Sequence, residues 1–119
     1  MKTILIADDS PSVRKLIETA LASAGYKVLS ASDGREALKL AFENPIDAVI
    51  ADDEMPRLSG TELFRILRTD PEKNSVPRLM ISGLAADGDK PAERFADVVI
   101  FKNTGLKSDL ISALDGLLR

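Results

Sequence analysis

Asp8 and Asp9, Asp52, Ser82 and Lys102 are the residues of this chain whose types and settings suit chemistry. Each ends or follows a short apolar run. Ile4-Leu5-Ile6-Ala7 precedes the acidic pair, Ile46 to Ala51 precedes Asp52, Arg78 to Ile81 precedes Ser82, and Val98 to Phe101 precedes Lys102. Such runs, rich in β-branched residues, read as strands of a sheet buried on both faces. In an open parallel sheet the residues ending each strand gather along one rim, where these sheets bind ligands. Three carboxylates brought together there repel, so they must protonate, separate or hold a cation. An all-oxygen set with few protein ligands and room for water suits Mg²⁺. Such an ion would also neutralise a phosphoryl group delivered to the site. Asp52 could then act as nucleophile and form an aspartyl phosphate. Ser82 would donate a hydrogen bond to one phosphoryl oxygen, and Lys102 would face another as a point charge.

Composition removes several rival chemistries. The 119 residues include neither cysteine nor histidine. That excludes a disulfide framework, thiolate metal sites, His-ligated zinc and imidazole acid–base catalysis. Apolar residues make up 45% and charged residues 29%, the balance of a soluble globular domain, and the expectation is one domain over residues 1–119. Net charge is −3 with no basic stripe, so no direct nucleic-acid partner is expected. No segment is long and apolar enough to span a bilayer, and no signal-peptide core precedes the first strand. A cytoplasmic location without membrane contact is the expectation.

The elements that must position the rim residues follow in order. Ser10 and Pro11 read as an N-cap and first helical position, with Val13, Leu16, Ile17, Ala20, Leu21 and Ala24 on one apolar face and Gly25 closing the helix. Tyr26 to Ala31 reads as a more polar edge strand. Ser32 or Asp33 caps a second helix over Glu36 to Glu43, stopped by Asn44-Pro45. Ser59-Gly60-Thr61 opens a third helix with Leu63, Ile66 and Leu67 inward, ended by Asp70-Pro71. A last helix runs from about Leu106, its core stripe formed by Leu106, Leu110, Leu114 and Leu117 and widened by Ile111 and Leu118. Between the fourth and fifth strands the pattern supports at most a short helix from Pro91 to Phe95, the rest being loop. Strands alternating with helices over short connections predict a parallel sheet covered on both faces.

At its strand ends the chain resembles the receiver domain of bacterial two-component response regulators. The resemblance rests on Asp8-Asp9 after Ile6-Ala7, on Asp52-Asp53-Glu54-Met55-Pro56 followed by Gly60, on Ser82-Gly83 and on Lys102. It covers essentially all 119 residues. It implies a flavodoxin-like three-layer sandwich with a five-stranded sheet in order 2-1-3-4-5, and Asp52 as phosphoacceptor. Asp8 and Asp9 would hold Mg²⁺ with Asp52 and the main-chain carbonyl of Glu54, Asp9 being the more direct ligand of the pair. Ser82 would be the switch hydroxyl and Lys102 the phosphate-contacting lysine. The implied partners are a sensor histidine kinase or phosphotransfer protein, and a downstream effector protein or fused output domain. Such a domain catalyses its own phosphorylation and dephosphorylation without turning over a metabolite. Three features depart from the family pattern. Asn103 and Thr104 stand where a proline and an aromatic usually follow the lysine, Val99 replaces the switch aromatic, and the Ser82–Lys102 segment is slightly short.

Plainer readings stand beside these. Asp8-Asp9 could cap the following helix and favour its dipole. Asp53 and Glu54 read as a solvated turn, Ser82 alone as a strand-end hydroxyl and Lys102 alone as a solvated edge lysine. The last helix is either broadly buried or carries a partner-binding patch. Two rival functions remain: a degenerate receiver that signals by contact without phosphorylation, and a phosphohydrolase of the haloacid dehalogenase type. The latter class places its nucleophile after the first strand with a second Asp two residues on, where this chain has Asp52 after the third strand and then Glu54.

Overall fold

The computed structural model describes residues 1–83, 96–102 and 105–118. The elements run β1 (Thr3–Ala7), α1 (Pro11–Ser23), β2 (Lys27–Ala31), α2 (Gly34–Glu43), β3 (Ala48–Asp52), α3 (Gly60–Thr69), β4 (Arg78–Ser82), β5 (Val98–Phe101) and α4 (Leu106–Leu117). All strand pairs are parallel, and the five strands lie in the order β2-β1-β3-β4-β5. This is the flavodoxin-like arrangement that the resemblance implies. The short helix expected over Pro91–Phe95, the loop before it, and Asn103 and Thr104 lie outside the described residues.

Successive side chains of a strand point to opposite faces, and that alternation splits the core in two. Ile4, Ile6, Ala48, Ile50, Leu79, Ile81 and Ile100 pack on one face with Ile17 and Leu21 of α1 and Leu106, Leu110 and Leu114 of α4. Leu5, Ala7, Val49, Ala51 and Met80 pack on the other with Ala37 and Ala41 of α2 and Leu63, Phe64 and Leu67 of α3. Helices thus cover both faces of the sheet. Among the described residues no helix is long and apolar enough to cross a membrane.

Local chemistry explains the helix ends. Ser10 is extended and accepts from Val13 N at 3.4 Å, with Pro11 in the first turn. Gly25, at φ +92°, takes the left-handed position after the C-cap. Asp33, not Ser32, caps α2 by accepting from Glu36 N at 2.8 Å. Ser59 and Glu62 form a reciprocal capping box on α3.

Several details differ from the sequence expectation: β2 starts at Lys27 and α2 at Gly34, and Phe64 fills the core where Ile66 is only partly buried. β3 begins at Ala48 and not at Ile46, because Asp47 clasps the start of β1. Its N–H donates to Thr3 O at 2.8 Å while Oδ2 accepts from Thr3 N at 2.7 Å. Asp97 repeats the device before β5, exchanging two 2.7 Å bonds with the backbone of Arg78. Leu16 is 40% exposed, since the buried line of α1 runs through Ile17 and Leu21, and Leu16 lies about 100° around the helix from Ile17. Likewise Leu117 is exposed. The i, i+4 line Leu106-Leu110-Leu114 continues to Leu118, which packs against the core instead.

Tyr26, the chain's single tyrosine, donates to Asp115 Oδ1 at 2.7 Å and ties the start of β2 to the last turns of α4. Burial, then the Asp115 carboxylate, push its phenol up to about 12. Tyr26→Phe should cost about 1 kcal/mol in urea unfolding. The wild-type phenolate absorbance should rise near 12 and not at the ordinary 10.0; titration at the ordinary value would show that the Tyr26–Asp115 bond does not persist in solution.

Candidate functional site

β1 and β3 are neighbours, and from them the chain moves to opposite sides of the sheet, β1 through α1 to β2 and β3 through α3 to β4. That reversal opens a crevice at their carboxyl ends. β1 is followed there by Asp8 and Asp9, β3 ends in Asp52, β4 ends in Ser82 and β5 is followed by Lys102. The side chains singled out from sequence therefore converge on one rim.

Asp8 is fully buried, and its Oδ1 accepts from Ser10 N at 2.8 Å. Among the described residues its Oδ2 is buried without a hydrogen-bond partner, 3.4 Å from Lys102 Nζ. Asp52 is 6% exposed. Its Oδ1 accepts from Glu54 N at 3.2 Å and its Oδ2 from Lys102 Nζ at 2.7 Å. Asp9 is exposed, at the mouth of the site. Carboxylate oxygens of Asp8, Asp9 and Asp52 lie within 4.8 Å of one another. Asp52, Asp53, Glu54, Ser82, Gly83 and Lys102 line a cleft of about 210 Å³. A larger hollow beside β2, about 470 Å³, has Glu18 as its only carboxylate among the described residues, so the convergent chemistry belongs to the smaller cleft.

The electrostatics follow from this packing. Burial pushes the Asp8 carboxyl above its ordinary value; the Ser10 N–H opposes that rise, the Asp52 charge adds to it and Lys102 opposes it. For Lys102, burial disfavours the charge, but the hydrogen bond and charge of Asp52, with the charge of Asp8 at 3.4 Å, outweigh burial and hold the ammonium above its ordinary value. Sequence reasoning put Lys102 opposite a phosphoryl group. Here its ammonium bridges Asp8 and Asp52, at 3.4 and 2.7 Å. The donor set among the described residues fits Mg²⁺: hard carboxylate oxygens, one of them buried and without a hydrogen bond there, beside an open, exposed Asp9.

The loop from β3 to α3 is held more tightly than its acidic sequence suggests. Asp53 is not a solvated turn residue. Its N–H donates to Ile81 O at 3.1 Å, its carbonyl accepts from Gly60 N at 3.2 Å and its Oδ1 accepts from Thr61 Oγ1 at 3.0 Å. Glu54 is exposed, as expected. A Cβ on Gly60 would lie 2.4 Å from the Asp52 carbonyl oxygen, and one on Gly34 would lie 2.0 Å from that of Leu58. These two glycines let α3 and α2 approach the loop. Arg57 occupies a left-handed φ of 72° and its Nε lies 3.6 Å from Asp33 Oδ2, adding a link to the start of α2. Val99 is half-buried against the α2/α3 side of the core. The contact of Gly34 with Leu58 had no legible signal beyond a glycine at the start of a helix, where alanine would favour helix.

The sequence profile of the response regulator receiver domain matches residues 4–114. This chain belongs to that family. The receiver is 41% identical over 87 residues to a probable transcriptional regulator, ycf27, of Guillardia theta, a match covering 73% of this chain and 33% of that protein. It is similar in structure to the chemotaxis response regulator CheY4 of Vibrio cholerae, with TM-score 0.91, 31% identity and 99% of both chains covered. A crystal structure of the response regulator TrrA from Thermotoga maritima, in complex with Mg²⁺ and BeF, gives TM-score 0.90 and 31% identity over 99% of this receiver and 100% of that chain. The receiver spans about a third of the length of the first curated relatives it matches.

Proposed function

We propose that Asp52 of this receiver accepts a phosphoryl group from the phosphohistidine of a sensor kinase or phosphotransfer protein. The observation that carries the reading is the Asp52 carboxylate itself. It ends a central strand, lies beside two further acids and has Lys102 at 2.7 Å in a cleft bordered by Ser82. An Asp52 oxygen attacks phosphorus, an O–P bond forms as the N–P bond breaks, and the electron pair leaves on the imidazole nitrogen. Asp8, Asp9, Asp52 and the Glu54 main-chain carbonyl would hold Mg²⁺, which supplies charge neutralisation for the phosphoryl oxygens. Ser82 Oγ donates to one phosphoryl oxygen. Lys102 Nζ exchanges its carboxylate partners for another, a short move because it already touches Asp52. Water later cleaves the acyl phosphate, so the receiver catalyses both its phosphorylation and its dephosphorylation, and no metabolite is turned over.

The phosphoryl group then biases a two-state surface read by a downstream effector protein or a fused output domain. Relatives named as transcriptional regulators, about three times as long as the matched region, support a fused output. The receiver itself, one domain over residues 1–119, would make no nucleic-acid or membrane contact and would act in the cytoplasm. The Mg²⁺ and BeF complex of TrrA supports the same chemistry here. Acetyl phosphate should label the receiver with Mg²⁺ present and not with the metal chelated, and hydroxylamine should release the label, as it does from an acyl phosphate. Failure of both acetyl phosphate and a phosphorylated kinase to label, or a label resistant to hydroxylamine, would contradict the proposal.

A further inference from the structure

Asp8 is held at almost every polar atom. Its N–H donates to Ala31 O on β2 at 3.2 Å, its Oδ1 accepts from Ser10 N at 2.8 Å, and its carbonyl accepts from Arg14 Nη1 at 2.7 Å. That carbonyl belongs to the peptide unit joining Asp8 to Asp9. A peptide unit is planar, so fixing its oxygen fixes the direction in which Asp9 leaves. Arg14 sits one turn into α1, and its guanidinium is itself steadied. Its Nε lies 4.0 Å from Glu18 Oε1, and Glu18 Oε1 accepts from Ser30 Oγ on β2 at 2.5 Å. A line of side chains thus runs from the edge strand to the turn carrying both acids.

We infer that Arg14 is a positioning residue for the metal site, setting the Asp8–Asp9 peptide so that the exposed Asp9 carboxylate stays within reach of Asp8 and Asp52. It holds no ligand itself. The inference rests on the proposed Mg²⁺-dependent function and names a residue that function had not used. Charge makes the test sharp. Loss of a nearby cation, acting through Coulomb's law alone, would tighten Mg²⁺ binding to an acidic cluster. Loss of a positioning bond would weaken it, and removing a group that orients a metal ligand typically costs about tenfold or more in affinity.

Mg²⁺ is titrated at constant ionic strength into the full chain, with binding read by calorimetry and folding by urea unfolding of the metal-free protein. Arg14→Met should weaken Mg²⁺ affinity about tenfold. In an Asp9→Asn background, which keeps an oxygen at that position, the same change should weaken it by much less, because Arg14 acts through Asp9. Unchanged or tighter binding by Arg14→Met, or the same fold loss in both backgrounds, overturns the inference. Ser30→Ala alters no charge and loosens the clamp on Glu18, so it decides the matter should Arg14→Met fail to fold. A smaller loss in the same direction supports the inference and unchanged affinity overturns it. Wild-type protein that binds no Mg²⁺ would remove the proposed function as well, whereas an indifferent Arg14→Met removes this inference alone.

Discussion

Alanine at Gly60 should cost about 2–3 kcal/mol of folding stability and abolish phosphorylation with it. The added methyl would meet the Asp52 carbonyl oxygen at 2.4 Å and the Met80 sulfur at 3.1 Å. A flexible thioether can give way, but the backbone of a central strand cannot without moving Asp52. The displacement would also strain the 3.2 Å bond from Gly60 N to the Asp53 carbonyl, which closes the loop onto α3. Urea unfolding and acetyl phosphate labelling measure the two effects separately. Gly116→Ala is the matched control, since its Cβ would meet nothing among the described residues within 4 Å; it should be neutral or mildly stabilising. Near wild-type stability and labelling in Gly60→Ala would mean that the close approach of α3 to β3 does not hold Asp52 in place.

Asp8→Asn should have the opposite sign on stability and the same effect on function. Burial raises the Asp8 carboxyl above its ordinary 3.8, so the folded state holds this proton more tightly than the unfolded chain does. The stabilisation from that difference is complete below 3.8 and is lost as pH rises through the folded-state value. At neutral pH the ionised group is a cost that the Lys102 ion pair at 3.4 Å offsets in part, since Oδ2 has no hydrogen bond among the described residues. Removing the charge should stabilise the metal-free protein by about 1 kcal/mol at pH 7. The gain should shrink as pH falls through the raised folded-state value and wild-type Asp8 takes up its proton. Mg²⁺ binding should be lost with the carboxylate. Thermal unfolding across pH, with and without Mg²⁺, checks both halves; a variant less stable than wild type at pH 7 would show that Lys102 compensates Asp8 fully.

Most of the fold was legible because its strands are apolar throughout and its helices are punctuated by residues with specific conformational roles. Ser10-Pro11, Gly25 and Ser59 read correctly because capping is a local event. The rim could be read because a parallel sheet sends every strand's carboxyl end the same way. What sequence could not give was set by contacts distant along the chain. Asp47 reads as part of a strand until Thr3 is known to lie beside it. Asp53 reads as solvated until Thr61 turns back toward it. Leu16 and Leu117 fit a helical stripe as well as their buried neighbours do, and only the position of the sheet separates them. The bridge that Lys102 makes between Asp8 and Asp52 joins residues on three different strand ends, so periodicity carries no trace of it.

Identification of the labelled residue tests the proposed chemistry most directly. After labelling with acetyl phosphate and Mg²⁺, reduction with tritiated borohydride marks the acylated carboxyl group, and peptide mapping locates it. The mark should fall on Asp52 alone and vanish in Asp52→Asn while that variant stays folded. A mark on Asp53 or Glu54, or one that persists undiminished in Asp52→Asn, would contradict the assignment.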